Sequence, residues 1–298
     1  MRVLVSAPSR LHFGILAPKP VESSYGSLGV AIDAYRTNVV AELCDDRIVK
    51  GYRAEDAMKY AEKFAEFAGV GGFRLDVLSG APKHVGLGSS TQLSLAVATA
   101  LSKLYGLSFT AEQLAHVLGR GKVSGVGTFA FKLGGFVVDG GSLDLVTRLD
   151  FPPDWKFIVA IPSGSGLHGR EEDRAFENLK PKPELTHRAC FVVLMKLIPS
   201  LRRRDFENFA SSLEELQKLV GEMFSEVQGG TFASATSEVV EAMKSLGLRG
   251  VGQSSWGPAA YAVVCKDAEE RYDDVRRAVR GKVLLCSADN RGASVEVV

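Results

Sequence analysis

Residues 82–92, Pro82-Lys83-His84-Val85-Gly86-Leu87-Gly88-Ser89-Ser90-Thr91-Gln92, carry the strongest chemical signal in the chain. The pattern runs from a strand into an apolar helix. Gly86 and Gly88 let the backbone approach a ligand with no Cβ in the way. Ser89, Ser90 and Thr91 fall in the first helical turn, where backbone N–H groups lack intrahelical partners and the helix dipole favours an anion. That is a cradle for a di- or triphosphate. A hydroxyl there, Ser90 first among them, could also ligate Mg²⁺ held by the phosphates. An ordinary Ser cap after a Gly turn is the plainer alternative. The loop is neither a Walker A loop, since Gly-Lys-Ser is absent, nor a dinucleotide fingerprint, since the third glycine is missing.

Three further segments carry candidate residues. Ala7-Pro8-Ser9-Arg10-Leu11-His12-Phe13-Gly14 follows an opening strand at 3–7. Gly119-Arg120-Gly121-Lys122-Val123-Ser124-Gly125-Val126-Gly127-Thr128 sets positive charge in a Gly-rich turn. Ser163-Gly164-Ser165-Gly166-Leu167-His168-Gly169-Arg170-Glu171-Glu172 leads into a helix, where either acid could bind Mg²⁺ or act as a base, or simply complement the helix dipole.

These loops are held by a chain of 298 residues with 46% apolar and 24% charged residues, the composition of a globular protein with a full core. A net charge of +1 gives no electrostatic footprint for nucleic acid or an acidic membrane. No apolar run is long enough for a membrane helix, and no signal peptide opens the chain, so a cytoplasmic protein is expected. The four cysteines form no CxxC pair, which argues against zinc or a disulfide framework. Cys190, Cys265 and Cys286 lie in apolar runs and read as buried small hydrophobes. Strands are expected at 27–33, 38–43, 73–79, 134–141 and 156–161. Helices are expected at 55–69, 91–105 and 110–119. Pro152-Pro153 marks a boundary between a part at 1–153 and one at 154–298. The second part carries helices at 184–199, 205–227, 232–246 and 268–280, with strands at 259–265, 283–287 and 293–297. The class is α+β.

The string Pro82-x3-Gly86-Leu87-Gly88-Ser89-Ser90 resembles the second motif of the GHMP kinases. The segment 7–14 stands where their substrate-lining first motif lies. Gly250-Val251-Gly252-Gln253-Ser254-Ser255-Trp256-Gly257-Pro258-Ala259 is similar to a degraded form of their third motif. The resemblance implies an N-terminal part like domain 2 of ribosomal protein S5 and a ferredoxin-like C-terminal part. Kinases of the family that use a catalytic Asp carry it after a Ser-Gly pair, near Gly127 here, and glycine accepts no proton. The strings around Arg10, Ser124 and Gln253 are most similar to one branch, the archaeal β-ribofuranosylaminobenzene 5′-phosphate synthases of methanopterin biosynthesis. That likeness implies a pentosyltransferase. It would join phosphoribosyl pyrophosphate to 4-hydroxybenzoate or 4-aminobenzoate, releasing CO₂ and pyrophosphate, with Mg²⁺ as cofactor and a homodimer as the expected assembly.

Such a reaction needs a cradle for departing pyrophosphate more than it needs a protein nucleophile. Gly86 to Thr91 would supply it, with Gly252, Gln253, Ser254 and Ser255 beside the phosphates. Arg10 could clamp a carboxylate or a phosphate, or form a surface ion pair. His12 could polarise the para substituent, or be a structural histidine. Arg120, Ser124, Gly125 and His168 are candidates for the remaining substrate contacts. Glu171 is a candidate base, and Glu172 with Ser90 a candidate for Mg²⁺. Trp256 could stack on a ring or fill the core. A kinase of homoserine or mevalonate type, and a catalytically silent binding protein, are the alternative readings.

Overall fold

The computed structural model describes residues 1–21, 24–164, 166 and 169–297. The first part comprises β1 (Arg2–Ile15), β2 (Ser27–Leu43), β3 (Arg47–Gly51), α1 (Ala54–Ala68) and β4 (Phe73–Ser79). It continues through α2 (Ser89–Leu104), α3 (Ala111–Val117), α4 (Val126–Leu133), β5 (Phe136–Asp139) and β6 (Leu145–Leu149). After the prolines come β7 (Lys156–Ile161), α5 (Arg170–Asn178), α6 (Pro183–Val192), a π-helical turn (Val193–Leu197), α7 (Ile198–Arg203) and α8 (Phe206–Gln228). The chain closes with α9 (Ser234–Ser245), β8 (Arg249–Gln253), β9 (Ala260–Val264), α10 (Ala268–Ala278), β10 (Lys282–Ser287) and β11 (Ser294–Val297).

Two sheets result. The first has the order β11-β1-β2-β4-β3, with β5 joined to the other end of β2 and β6 to β5. The second has the order β10-β7-β9-β8 and is antiparallel throughout. In it β9 and β10 flank β7, so the β9-α10-β10 connection is a split crossover around a middle strand. Strand β7 is apolar on both faces because both are covered. Phe157 and Val159 join the core under α8, whereas Ile158 and Ala160 join the layer of α9 and α10. The last strand, β11, leaves the second part and pairs with β1 in the first sheet.

Several elements differ from the sequence expectation. Strand β1 does not stop at Ala7. It continues to Ile15, so Arg10 and His12 lie inside a strand and not in a loop after it. Pro8 cannot donate to a ladder, and it sits where the pairing with β2 jumps from Ala7–Thr37 to Ser9–Ile32. The expected strands at 27–33 and 38–43 are one strand, β2, bent at that same irregularity, with Tyr35 at φ 52°. The expected helix at 184–199 is interrupted by the π-helical turn ahead of Pro199, which has no N–H to give. The loop expected from 250 begins as strand β8. Cys190 is exposed, not buried, because α6 turns that face outward with Phe191; Cys286 is buried, Cys44 and Cys265 are half-buried, and all four thiols are free. Among the described residues no helix is long and apolar enough to cross a membrane.

The core shared by the two parts contains one untidy group. Tyr261 is fully buried with its ring 5.1 Å from Phe13, and its hydroxyl has no partner among the described residues. An orphaned buried hydroxyl costs about 1–3 kcal/mol. Tyr261→Phe is therefore expected to raise the urea midpoint, with a gain of about 1 kcal/mol. A drop in the midpoint would show that the hydroxyl has a partner in solution.

Candidate functional site

Helix α2 begins at Ser89, directly after Gly88 at φ 73°. Among the described residues no side chain caps that end, and no acidic residue occupies its first turn. The N–H groups of the first turn are thus left for a ligand. They open into a cavity of about 260 Å³ lined by Gly86, Leu87, Gly88, Ser89, Ser90 and Thr91, together with Arg10, Arg120, Glu172 and Ser255.

Three distant segments meet at this turn. The Gly86 carbonyl accepts from Arg10 Nη1 at 2.5 Å and from Ser254 Oγ at 2.6 Å. Ser254 Oγ in turn accepts from the His12 backbone N–H at 2.9 Å, and the Ser255 N–H donates to the His12 carbonyl at 3.1 Å. The contacts leave no room for side chains. A Cβ on Gly86 would stand 2.4 Å from the Ser254 carbonyl oxygen, and one on Gly88 would stand 2.9 Å from Arg10 Cγ.

The cavity is electropositive. Arg10 is half-buried with its Nε enclosed, and desolvation lowers its pKa to about 10 against the opposing pull of Glu172. Its Nε has no partner among the described residues, a buried donor awaiting an anion. Arg120 donates to Tyr60 Oη at 2.7 Å and keeps an unpartnered Nε of its own. Two further cations lie beside the turn without lining the cavity. Arg53 donates to Ser90 Oγ at 3.1 Å, and both Arg53 and Lys83 pair with Asp56, at 2.9 and 2.7 Å. Lys83 was visible in the motif. Arg53 ends a β3–α1 connection with no signal of its own.

A second, narrower cavity shares Ser255 and Trp256 with the first. Its lining carries no charged side chain and mixes rings with amides: Phe13, Phe224 and Phe232 stand with Gln217, Gln228 and Gln253, and His12 lies at one side. Trp256 divides the two spaces. Its ring packs edge-on against Phe176 and Phe224, at 5.7 and 5.3 Å, and its Nε1 donates to Glu172 Oε1 at 3.0 Å. Core packing and site lining are here the same role.

The remaining candidates are distributed as follows. Gln253 lines the narrow cavity, its Oε1 held by the Ala233 N–H at 2.8 Å. Gly252 lies beneath it, where a Cβ would strike Gln217 at 2.5 Å. Ser124 and Gly125 do not line the phosphate cavity; they bond to His12 and Asp139. Glu171 is exposed at the start of α5 and lines neither cavity, whereas Glu172 lines the first. His168 lies outside the described residues.

Residues 53–135 match the GHMP kinases N terminal domain, and residues 197–282 the GHMP kinases C terminal domain. The chain is 32% identical to the β-ribofuranosylphenol 5′-phosphate synthase of Methanothermobacter thermautotrophicus, over 98% of each chain. The chain belongs to that family. It is 31% identical to the synthase of the same name from Archaeoglobus fulgidus, over 97% of this chain and 98% of that one. Among solved structures it resembles mevalonate pyrophosphate decarboxylase from Streptococcus pyogenes, with a TM-score of 0.74 at 13% identity over 97% of both chains. It also resembles a mevalonate kinase, at a TM-score of 0.72 and 13% identity, over 97% of this chain and 99% of the other. These likenesses establish the α+β GHMP-kinase fold. The family membership makes the chain an enzyme of the glycosyltransferase type.

Proposed function

We propose that this enzyme transfers the phosphoribosyl group of phosphoribosyl pyrophosphate to 4-hydroxybenzoate or 4-aminobenzoate, with loss of CO₂ and pyrophosphate. The observation that carries the reading is the pair of cavities. One is a cationic cradle at an uncapped helix start. The other is a neutral, aromatic-lined slot, and Trp256 and Ser255 form their common wall. A diphosphate suits the first space and an aryl ring the second, so the reacting carbon of the ribose would sit at the wall between them.

In this account the α2 N–H groups and Arg10 stabilise the negative charge that grows on pyrophosphate as the bond to ribose C1 breaks. The acceptor ring attacks C1 through the carbon bearing its carboxylate, and loss of CO₂ restores aromaticity. The slot keeps water from competing for C1. No described residue supplies a nucleophile, and none is needed. Among the described residues no cluster of three metal-binding side chains exists. The donors present, Glu172 and the Ser90 hydroxyl, fit a Mg²⁺ ion held mainly by the phosphates, which is how that ion is commonly bound. Its chemistry would be to neutralise charge on the leaving group. Arg120, which lines the same cavity, would meet the 5′-phosphate.

The homology to kinases offers a competing reading, and the assay separates them. With Mg²⁺, phosphoribosyl pyrophosphate and carboxyl-labelled 4-hydroxybenzoate, the purified protein is expected to release labelled CO₂ and pyrophosphate in equal amounts. Consumption of ATP with a metabolite alcohol, and no CO₂, would put the kinase in its place.

A further inference from the structure

A chain of four groups, three of them buried and Ser124 half-buried, runs away from the narrow cavity. His12 Nε2 lies 2.9 Å from Ser124 Oγ, Ser124 Oγ lies 2.8 Å from Ser27 Oγ, and Ser27 Oγ donates to Asp139 Oδ2 at 3.1 Å. The groups come from β1, the turn before α4, β2 and the end of β5, and their meeting is set by the pairing of β2 with both neighbours. Each hydroxyl has a single proton. Because Ser27 gives its proton to the carboxylate, it must accept from Ser124, and Ser124 must then accept from His12 Nε2–H. The second lone pair of Ser124 takes the Val126 N–H at 3.3 Å. This ordering leaves His12 Nδ1 unprotonated. That atom is buried with no partner among the described residues, in a side chain that lines the aryl cavity.

We propose that His12, Ser124, Ser27 and Asp139 form a proton relay that takes the proton of the acceptor's para substituent during carbon–carbon bond formation and returns it after decarboxylation. The proposal rests on the reading of the reaction given above. Its balance closes without another reactant. As the ring carbon bonds to ribose C1 and pyrophosphate leaves with the C1–O electron pair, the acceptor O–H bond breaks and His12 Nδ1–H forms. Its Nε2 proton passes to Ser124, that of Ser124 to Ser27, and that of Ser27 to Asp139. The ring is then a cyclohexadienone. When CO₂ leaves, its bonding pair restores the ring, the oxygen becomes a phenolate, and the protons move back. No net proton is gained or lost, so the store has to be reversible.

The surroundings suit a reversible store. Burial, with Arg10 adding to it, holds the His12 pKa well below its ordinary value, so the imidazole rests neutral. Burial raises the Asp139 pKa, with Asp144 adding to it, and the Gly125 and Gly141 N–H groups and Ser27 oppose the shift. Asp139 Oδ2 accepts the Gly125 N–H at 2.6 Å, while Oδ1 has no partner among the described residues. A Cβ on Gly125 would stand 2.6 Å from Oδ1, so glycine there keeps the carboxylate in line.

The test compares two acceptors. In 4-hydroxybenzoate the hydroxyl is protonated at the assay pH. In 3,5-difluoro-4-hydroxybenzoate the ring fluorines make it acidic enough to be ionised, so there is no proton to remove. Ser124→Ala and Asp139→Asn each cut the relay at one atom, with Ser27→Ala as a third variant should either fail to fold. Turnover with 4-hydroxybenzoate is expected to fall about 10²-fold with KM little changed, whereas the fluorinated acceptor should lose less than about tenfold. Equal losses with both acceptors, or no loss in a folded variant, would overturn the relay and leave the chain of bonds structural. No CO₂ from either acceptor with the wild-type enzyme would instead sink the reading of the reaction.

Discussion

Gly88→Asp is expected to lower kcat/KM roughly a thousandfold while the protein stays folded. The left-handed backbone at this position, φ 73°, is one that Asp and Asn visit more readily than other side chains. The neighbouring cavity of about 260 Å³ also leaves the new side chain room. The damage comes from charge and displacement. A carboxylate would stand among the N–H groups meant for the diphosphate, and its Cβ would press on Arg10 Cγ. Gly88→Asn keeps the shape and drops the charge, so its loss should be at least about tenfold smaller. Full activity in the Asp variant would remove the anion site from this turn. Equal losses in both variants would mean that shape, not charge, is what Gly88 protects.

The second large effect is expected at Arg10. Its guanidinium is held by the Gly86 carbonyl, pulled electrostatically by Glu172, and left with an unsatisfied Nε. Arg10→Met removes the charge but keeps the packing of the stem, and should cost about 10²- to 10³-fold in kcat/KM for phosphoribosyl pyrophosphate. Arg10→Lys retains a charge and loses the planar fork that spans two acceptors, so an intermediate loss is expected. Steady-state kinetics with both substrates varied gives the answer. An effect confined to KM for the aryl acid would move Arg10 from the diphosphate to the acceptor's carboxylate.

What could be read from the sequence, and what could not, follows from the range of the interactions. The turn at 86–91 was legible because its requirements are local: glycines for positive φ and close approach, then hydroxyl residues opening an apolar helix. Helix α3 was legible for the same reason, with Thr110 and Gln113 forming a reciprocal cap. The alternation of β7 between two cores could be felt only as a continuous apolar run. By contrast, Asp139 closes a short strand between glycines and looks like any polar strand end. Its contacts come from Ser27 and Gly125, 112 and 14 residues away along the chain, and no spacing rule connects them. Strand β1 runs past the expected end at Ala7 although Pro8 cannot donate to a ladder. The structure tolerates it at a register jump, and so places Arg10 and His12 on a rigid strand facing two cavities. Arg53 was hidden in ordinary helix-start chemistry, where charged residues are expected for electrostatic reasons alone.

The central claim is that one uncapped helix start grips an oligophosphate while the slot behind Trp256 receives an aromatic ring. A crystal structure of the protein with Mg²⁺, pyrophosphate and 4-hydroxybenzoate tests it directly. The diphosphate is expected within hydrogen-bonding distance of the Ser89, Ser90 and Thr91 N–H groups and of Arg10, with the ring beside Phe224 and its hydroxyl on His12 Nδ1. Phosphates bound elsewhere, with the turn at 86–91 vacant, would contradict the account.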